Sequence, residues 1–182
     1  TGKDFNKETG LIAKSNMIAL NADKANELKD AFQNSTWKVA KIEQKPLTQN
    51  PYAPFITSTL QQEGIRKLRM SSQQVMRNAQ RLYEEGFITY MRTDSVSLSN
   101  EAINASRETI QSRYGKEYLP EKPRIFKNKV KNAQEAHEAI RPAGSTFKSP
   151  EDIKSNLEEM EWKLYDLIWK RTLASQMKSA QL

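Results

Sequence analysis

From about residue 57 onward, apolar side chains recur at helical spacing. Val75, Ala79, Leu82 and Tyr83 mark one face of a helix. Ser71-Ser72-Gln73-Gln74 reads as a capping box before it, and Gly86 stands where a glycine ends a helix. The preceding segment has the same design. Leu60, Ile65 and Leu68 follow Ser58-Thr59-Leu60-Gln61, which predicts Ser58 as cap and Gln61 as its reciprocal partner. Two short helices joined at Arg69-Met70-Ser71 resemble a helix-turn-helix, with the strand-like run after Gly86 where a winged variant has its sheet. "SLSNEAINASRETIQSRYG", residues 97–115, predicts a further helix capped by Ser97 or Ser99. Across 149–177, Ser149 is the expected cap and Pro150 the first helical residue. Ile153, Leu157, Met160, Leu164, Leu167 and Ile168 share one face, and a break near Asn156 would divide the run into two helices.

Residues 1–50 read differently. "LIAKSNMIAL" (11–20) is strand-like with imperfect alternation. "NADKANELKDAF" predicts a helix capped by Asn21, with Ala25, Leu28, Ala31 and Phe32 as its apolar stripe. "TWKVAKIEQ" (36–44) alternates Trp37, Val39 and Lys41 against Lys38, Ala40 and Ile42, as a half-buried strand does. Such a β-α-β piece has too few strands to form a stable sheet alone. "KPLTQNPYAP" (45–54) holds three prolines and reads as a linker or rigid turn, and "LPEKPRIFKNKVKN" (119–132) reads as a basic loop. The expected fold is mainly α with a small β part, divided into 1–50 and 51–182.

Composition narrows the function classes. Apolar residues make up 37 % of the 182, so core positions must be concentrated on a few faces. The net charge of +7 favours a polyanionic partner, nucleic acid before an anionic membrane. There is no cysteine, which excludes a disulfide framework, a thiolate zinc site and a cysteine nucleophile. No apolar run approaches the roughly 18 residues of a membrane span. The chain opens Thr1-Gly2-Lys3 and stops at Gln181-Leu182, which reads as two cuts inside a larger protein.

Of the six tyrosines, Tyr90 alone is followed by a dense polar set: Arg92, Thr93, Asp94 and Ser95. In an extended chain Tyr90 and Arg92 share a face. A free phenol is only about 0.1 % ionised at pH 7, and an adjacent guanidinium favours the phenolate and can hold a phosphate by two hydrogen bonds. A tyrosine attacking a phosphodiester needs both effects, and the resulting ester stores the bond for resealing. Strand-end tyrosines near an arginine are more often structural. The second constellation is "QEAHEAIRP", residues 134–142. His137 is the chain's one histidine, so an HExxH zinc site is excluded. Glu135 and Glu138 are candidates to support it as a cation that binds phosphate or assists proton transfer, and Arg141 is expected on the same helical face. Three readings stay open on the residues alone: a nucleophile, a non-catalytic helix-turn-helix DNA-binding module, and a structural piece with Tyr90 buried and remote from His137.

"GFITYMRTDS" (86–95) and "AHEAIRP" (136–142) resemble two signature segments of type IA DNA topoisomerases in their bacterial topoisomerase I form. "PFITSTLQQE" (54–63) and "LYDLIWKRTLASQM" (164–177) resemble flanking segments of that family in the same order. The likeness covers roughly residues 50–180 and is weaker before that. It implies that Tyr90 attacks one DNA strand and becomes linked to its 5′ phosphate, that Arg92 contacts the scissile phosphate, and that His137 lies near the active site and DNA. Arg141 falls in the same motif, with a DNA or structural role, and the roles of Thr93, Asp94 and Ser95 stay open. The family's tyrosine domain is helix-rich and winged-helix-like, and 1–50 resembles part of its β-rich arch, or gate. The resemblance further implies a single-stranded DNA segment as partner, the family's remaining domains in the same polypeptide, a monomer, and the bacterial cytoplasm at the nucleoid, with no membrane. It also implies Mg2+ in the intact enzyme, held by a Toprim domain that nothing in this sequence matches. This chain alone is therefore expected to bind no metal and to lack efficient turnover.

Overall fold

The helical spacing read from residue 57 onward is realised as four α-helices, though not every expected cap holds. A computed structural model describes residues 20–127 and 137–182. The chain divides into two units, Thr1–Lys45 and Pro46–Leu182.

In the first unit, helix α1 spans Ala22–Gln33 and is capped as expected, the Asn21 side chain accepting from Lys24 N at 2.9 Å. Its apolar stripe is not buried: Phe32 is exposed, with the Trp37 ring 5.5 Å away. Residues 36–44 depart from the expected half-buried strand. They form neither helix nor strand, and Trp37, Val39 and Ile42 are 72–81 % exposed. Alternation identifies two faces but supplies no partner strand to cover one of them. The strand expected over 11–20 lies, except for Leu20, outside the described residues.

The second unit carries α2 (Thr57–Leu68), α3 (Ser72–Glu84), α4 (Asn100–Tyr114) and α5 (Glu159–Gln176). Two-residue strands β1 (Thr48–Gln49) and β2 (Ala180–Gln181) pair antiparallel, with Thr48 opposite Gln181. The fold is mainly α with a small β part. Helix α3 behaves as read. Ser71 Oγ accepts from Gln74 N while Ser71 N donates to Gln74 Oε1 at 2.7 Å. At its other end Gly86, with φ of 75°, closes a Schellman turn through Phe87 N to Leu82 O and Gly86 N to Tyr83 O.

Helix α2 starts two residues earlier than its pattern implied. Ser58 lies inside the first turn, and the cap position falls on Ile56, whose N–H donates to Thr59 Oγ1. Thr57 is drawn into the helix by tertiary bonds that a local capping pattern does not contain. The joint between α2 and α3 is tight. Arg69 turns through a left-handed conformation, and a Cβ at Gly64 would stand 2.6 Å from Val75 Cγ2.

Ser99 proves to be the cap of α4. The run from 149 breaks near Asn156 as expected, but its first half is not a helix: Pro150 opens a turn, because the Ser149–Asp152 caps close within four residues. Ser149 and Asp152 exchange caps, a 3-10 turn spans Lys154–Asn156, and only Glu159–Gln176 is α-helical. Leu60, Val75, Leu82, Ile110, Leu164 and Ile168 are wholly buried where the four helices meet. Each such side chain is worth about 1.5–3 kcal/mol of burial. The strand-like run after Gly86 is not a continuous strand. Ile88 bridges Pro142 and Phe55 bridges Ile140, both antiparallel, and these two pairings stand in place of the expected winged-helix sheet. The described part of the basic loop, 119–127, has no helix or strand.

Candidate active site

Residues 90–95 keep the alternation of an extended chain without belonging to a sheet. Tyr90, Arg92 and Asp94 are exposed, while Met91, Thr93 and Ser95 are buried. The buried set fixes the exposed one. Thr57, the first residue of α2, donates its hydroxyl to Met91 O (2.8 Å) and Thr93 O (3.1 Å) and accepts from Thr93 N (3.0 Å), while Thr57 N also donates to Thr93 O. Thr93 Oγ1 then accepts from Ser95 N, and Ser95 Oγ from Ser97 N. Thr93 and Ser95 are thus turned inward, holding backbone.

A second threonine joins the other segment. Thr89 N donates to Arg141 O (2.9 Å) and Thr89 Oγ1 donates to Ala139 O (2.8 Å), while Arg141 N donates to Thr89 Oγ1 (3.0 Å). Ala139 N to Ser97 O and Ile140 N to Phe55 O complete the attachment. These bonds bring His137 to Tyr90 across 47 positions of sequence. Their ring centroids lie 5.6 Å apart, and the Tyr83 ring meets Tyr90 edge-on at 5.3 Å.

The result is an open groove of about 610 Å3 lined by Ile56, Thr57, Ser58, Tyr90, Arg92 and His137, with Thr93 and Asp94. Tyr90 is 37 % exposed. The start of α2 opens on the same groove, so the positive end of a helix dipole is added to the Arg92 cation. Tyr90, Arg92 and His137 therefore come together, as the motifs led one to expect, and a buried Tyr90 remote from His137 is excluded.

Arg141 does not join them. Residues 137–142 are not helical, so Arg141 and His137 share no helical face. Its side chain is buried, with Nε donating to Glu138 Oε2 (2.6 Å) and Nη1 to Pro142 O (2.8 Å) and Gly144 O (3.1 Å). Pro142 disfavours the helix that the i, i+4 spacing assumed. Glu138 is consequently spent on Arg141 rather than on His137. Burial raises its carboxyl pKa, but hydrogen bonding to Arg141, that residue's charge and hydrogen bonds from Ser99 together outweigh this, leaving it below the usual value. Glu135 lies outside the described residues.

Among the described residues no three His, Asp or Glu side chains cluster, and Asp94 is the one carboxylate on the groove. These residues do not by themselves make a magnesium site.

Sequence reading missed Thr57, Thr89 and the Tyr83 contact. A hydroxyl that bonds a segment 34 or 50 residues away leaves no local signal. Thr57→Val keeps the shape and removes the bonds that hold both sides of Arg92. It should cost about 1–3 kcal/mol in urea unfolding, because Thr93 N and Met91 O lose partners. A loss under about 0.3 kcal/mol would show that water replaces the hydroxyl.

The family model described as DNA topoisomerase matches residues 3–182. The chain is 55 % identical over all 182 residues to DNA topoisomerase 1 of Synechococcus elongatus, covering 20 % of that protein. It is 52 % identical to DNA topoisomerase 1 of Mycolicibacterium smegmatis, covering 19 % of it. Among solved structures, full-length topoisomerase I from Thermotoga maritima matches 92 % of this chain with 27 % of its own, at 37 % identity and a TM-score of 0.68. The chain spans about a fifth of the length of the curated relatives it matches, and by the family match along nearly its whole length it belongs to the bacterial DNA topoisomerase family.

Proposed function

We propose that this chain carries the nucleophile of a type IA DNA topoisomerase, with Tyr90 as the attacking residue. The observation that supports it best is the shared groove: an accessible phenol, the Arg92 guanidinium, the His137 imidazole and the start of α2 converge on one concave surface. A phosphodiester seated there meets donors for its non-bridging oxygens from Arg92 and the first turn of α2. The Tyr90 oxygen attacks phosphorus and loses its proton, and the bond from phosphorus to the 3′ oxygen breaks. The leaving 3′ oxygen takes up a proton, and the 5′ phosphate stays on Tyr90. One phosphodiester is exchanged for another, so return of the 3′ hydroxyl reseals the strand with no ATP. His137 sits where it can hold the phosphate or pass a proton.

In the intact protein this chemistry permits passage of a strand and relaxation of negative supercoils on a single-stranded DNA segment. Residues 1–50 belong to the β-rich arch, or gate, and 51–182 to the tyrosine domain. Magnesium is held by a Toprim domain elsewhere in the polypeptide, and the protein works as a monomer in the bacterial cytoplasm. The 182-residue chain alone is expected to show no turnover.

The test is to trap the intact protein with oligonucleotides labelled at either end and map the adduct. A 3′ label should become covalently attached to the peptide containing Tyr90, and a 5′ label should not. Attachment of the 5′ label, or an adduct on another residue, overturns the proposal.

A further inference from the structure

A second groove, of about 900 Å3, adjoins the first along the same helix. Thr57 and Ser58 line the Tyr90 groove, and Thr59, Gln62 and Glu63 line this one, so successive residues of α2 lead from one to the other. Its far wall is α5, and residues 49–52 close one end. Six cations border it, Arg66, Lys67, Lys163, Lys170, Arg171 and Lys178, against two carboxylates, Glu63 and Asp166, an excess of four positive charges.

Internal pairing does not cancel that excess. Glu63 is shared by Arg66 at 2.9 Å, Lys67 at 3.1 Å and Arg171 at 3.6 Å, one anion among three cations. The Arg66 hydrogen bond, working against burial and aided by Lys67, holds its carboxyl at about 2, so it remains an anion and no more than one. Lys170 pairs with Asp166, and Lys163 with Glu159. Lys178 is exposed and has no ion-pair partner among the described residues.

The groove also holds an aromatic surface. The Arg171 guanidinium lies 4.3 Å from the Phe55 ring and 5.1 Å from the Tyr52 ring. Phe55 is wholly buried and Tyr52 is 70 % exposed, so a buried ring, a guanidinium and an open ring succeed one another. An exposed tyrosine held by a cation in a basic channel is the arrangement that binds single strands, because an unstacked base can lie on the ring while phosphates meet the cations. A duplex, with its bases already stacked, cannot use the ring.

We propose that this second groove is a track for a single DNA strand leading to or from Tyr90, with phosphates on Arg66, Lys67, Lys170 and Lys178 and a base on Tyr52. The assignment of the strand as DNA, and its continuity with the first groove, rest on the reading of Tyr90. The groove's preference for single strands does not.

The test is equilibrium binding of a dye-labelled oligodeoxythymidylate of about 12 nucleotides to the 182-residue chain, with a duplex of equal phosphate number as competitor. Tyr52→Ala should weaken single-strand binding about fivefold to a hundredfold. Lys170→Ala and Lys178→Ala should each make the dependence of log affinity on log salt shallower by about 0.7. All three side chains are exposed, and circular dichroism confirms that each variant folds. The proposal is overturned if the chain does not bind, if Tyr52→Ala and the lysine variants keep the parent's affinity and salt slope, or if duplex competes equally. Binding by this chain and adduct mapping in the intact protein separate the two readings. A misplaced adduct with these effects present sinks the nucleophile alone, and a correct adduct with these effects absent sinks the track alone.

Discussion

In the intact protein, Tyr90→Phe should lose covalent capture of DNA and relaxation of supercoils by on the order of 10⁵–10⁶, while folding stability stays within about 0.5 kcal/mol. The two numbers belong together because the substitution removes one atom from an exposed ring. Tyr90 has no hydrogen-bonded partner for its hydroxyl among the described residues, and its packing against Tyr83 and His137 uses the ring, which phenylalanine keeps. Nothing in the fold depends on that oxygen, whereas the transesterification begins with it. A helix-turn-helix module that only binds DNA predicts the opposite for function: no adduct in the parent and no change in the variant. Supercoil relaxation within tenfold of the parent, measured on a negatively supercoiled plasmid, would place the nucleophile elsewhere. Arg92→Lys is a graded companion. It keeps the charge but loses the planar fork, so adduct formation should fall without vanishing.

How much of this was legible depends on the range of the interaction. Helix α3 was readable from both ends, because the Ser71–Gln74 box and the Gly86 turn are made within a few residues. The alternation that put Tyr90 and Arg92 together held even though no strand formed, since it is a property of extended backbone rather than of a sheet. What failed was inference from local period where a distant segment decides. Helix α2 begins at Thr57 because Thr57 is tied to Met91 and Thr93, and Ser58 merely looked like a cap. Residues 36–44 alternate but have nothing to cover them. His137 could be named from a motif, but its approach to Tyr90 depends on the Thr89 hydroxyl, one of the chain's many unremarkable threonines by sequence.

Arg141 is the sharpest case, and Arg141→Met should destabilise the fold by about 2–4 kcal/mol at neutral pH. Methionine keeps the length and apolar stem but leaves the Pro142 and Gly144 carbonyls without their donor and the Glu138 carboxylate without its cation. The pH dependence identifies the cause. In the parent the Glu138 carboxyl sits below its ordinary 4.5 when folded, so its contribution is present above that value and is lost as pH falls through the folded pKa. In the variant the arginine's bond and charge are gone and only the Ser99 hydrogen bonds still oppose burial, so the folded carboxyl loses most of what lowers its pKa. The gap between parent and variant should therefore be widest near pH 7 and close in acid, where Glu138 is neutral in both. Urea unfolding across that range measures it, and faster amide exchange at Thr89, whose N–H donates to Arg141 O, should locate the loosening. If Arg141 instead contacts a phosphate, the variant keeps its stability at every pH and shows a shallower salt dependence of DNA binding. The buried guanidinium, with its donors on Glu138 and two carbonyls, argues for the first outcome: Arg141 shapes the 138–144 segment internally, and the Thr89 bonds tie that segment to the Tyr90 side.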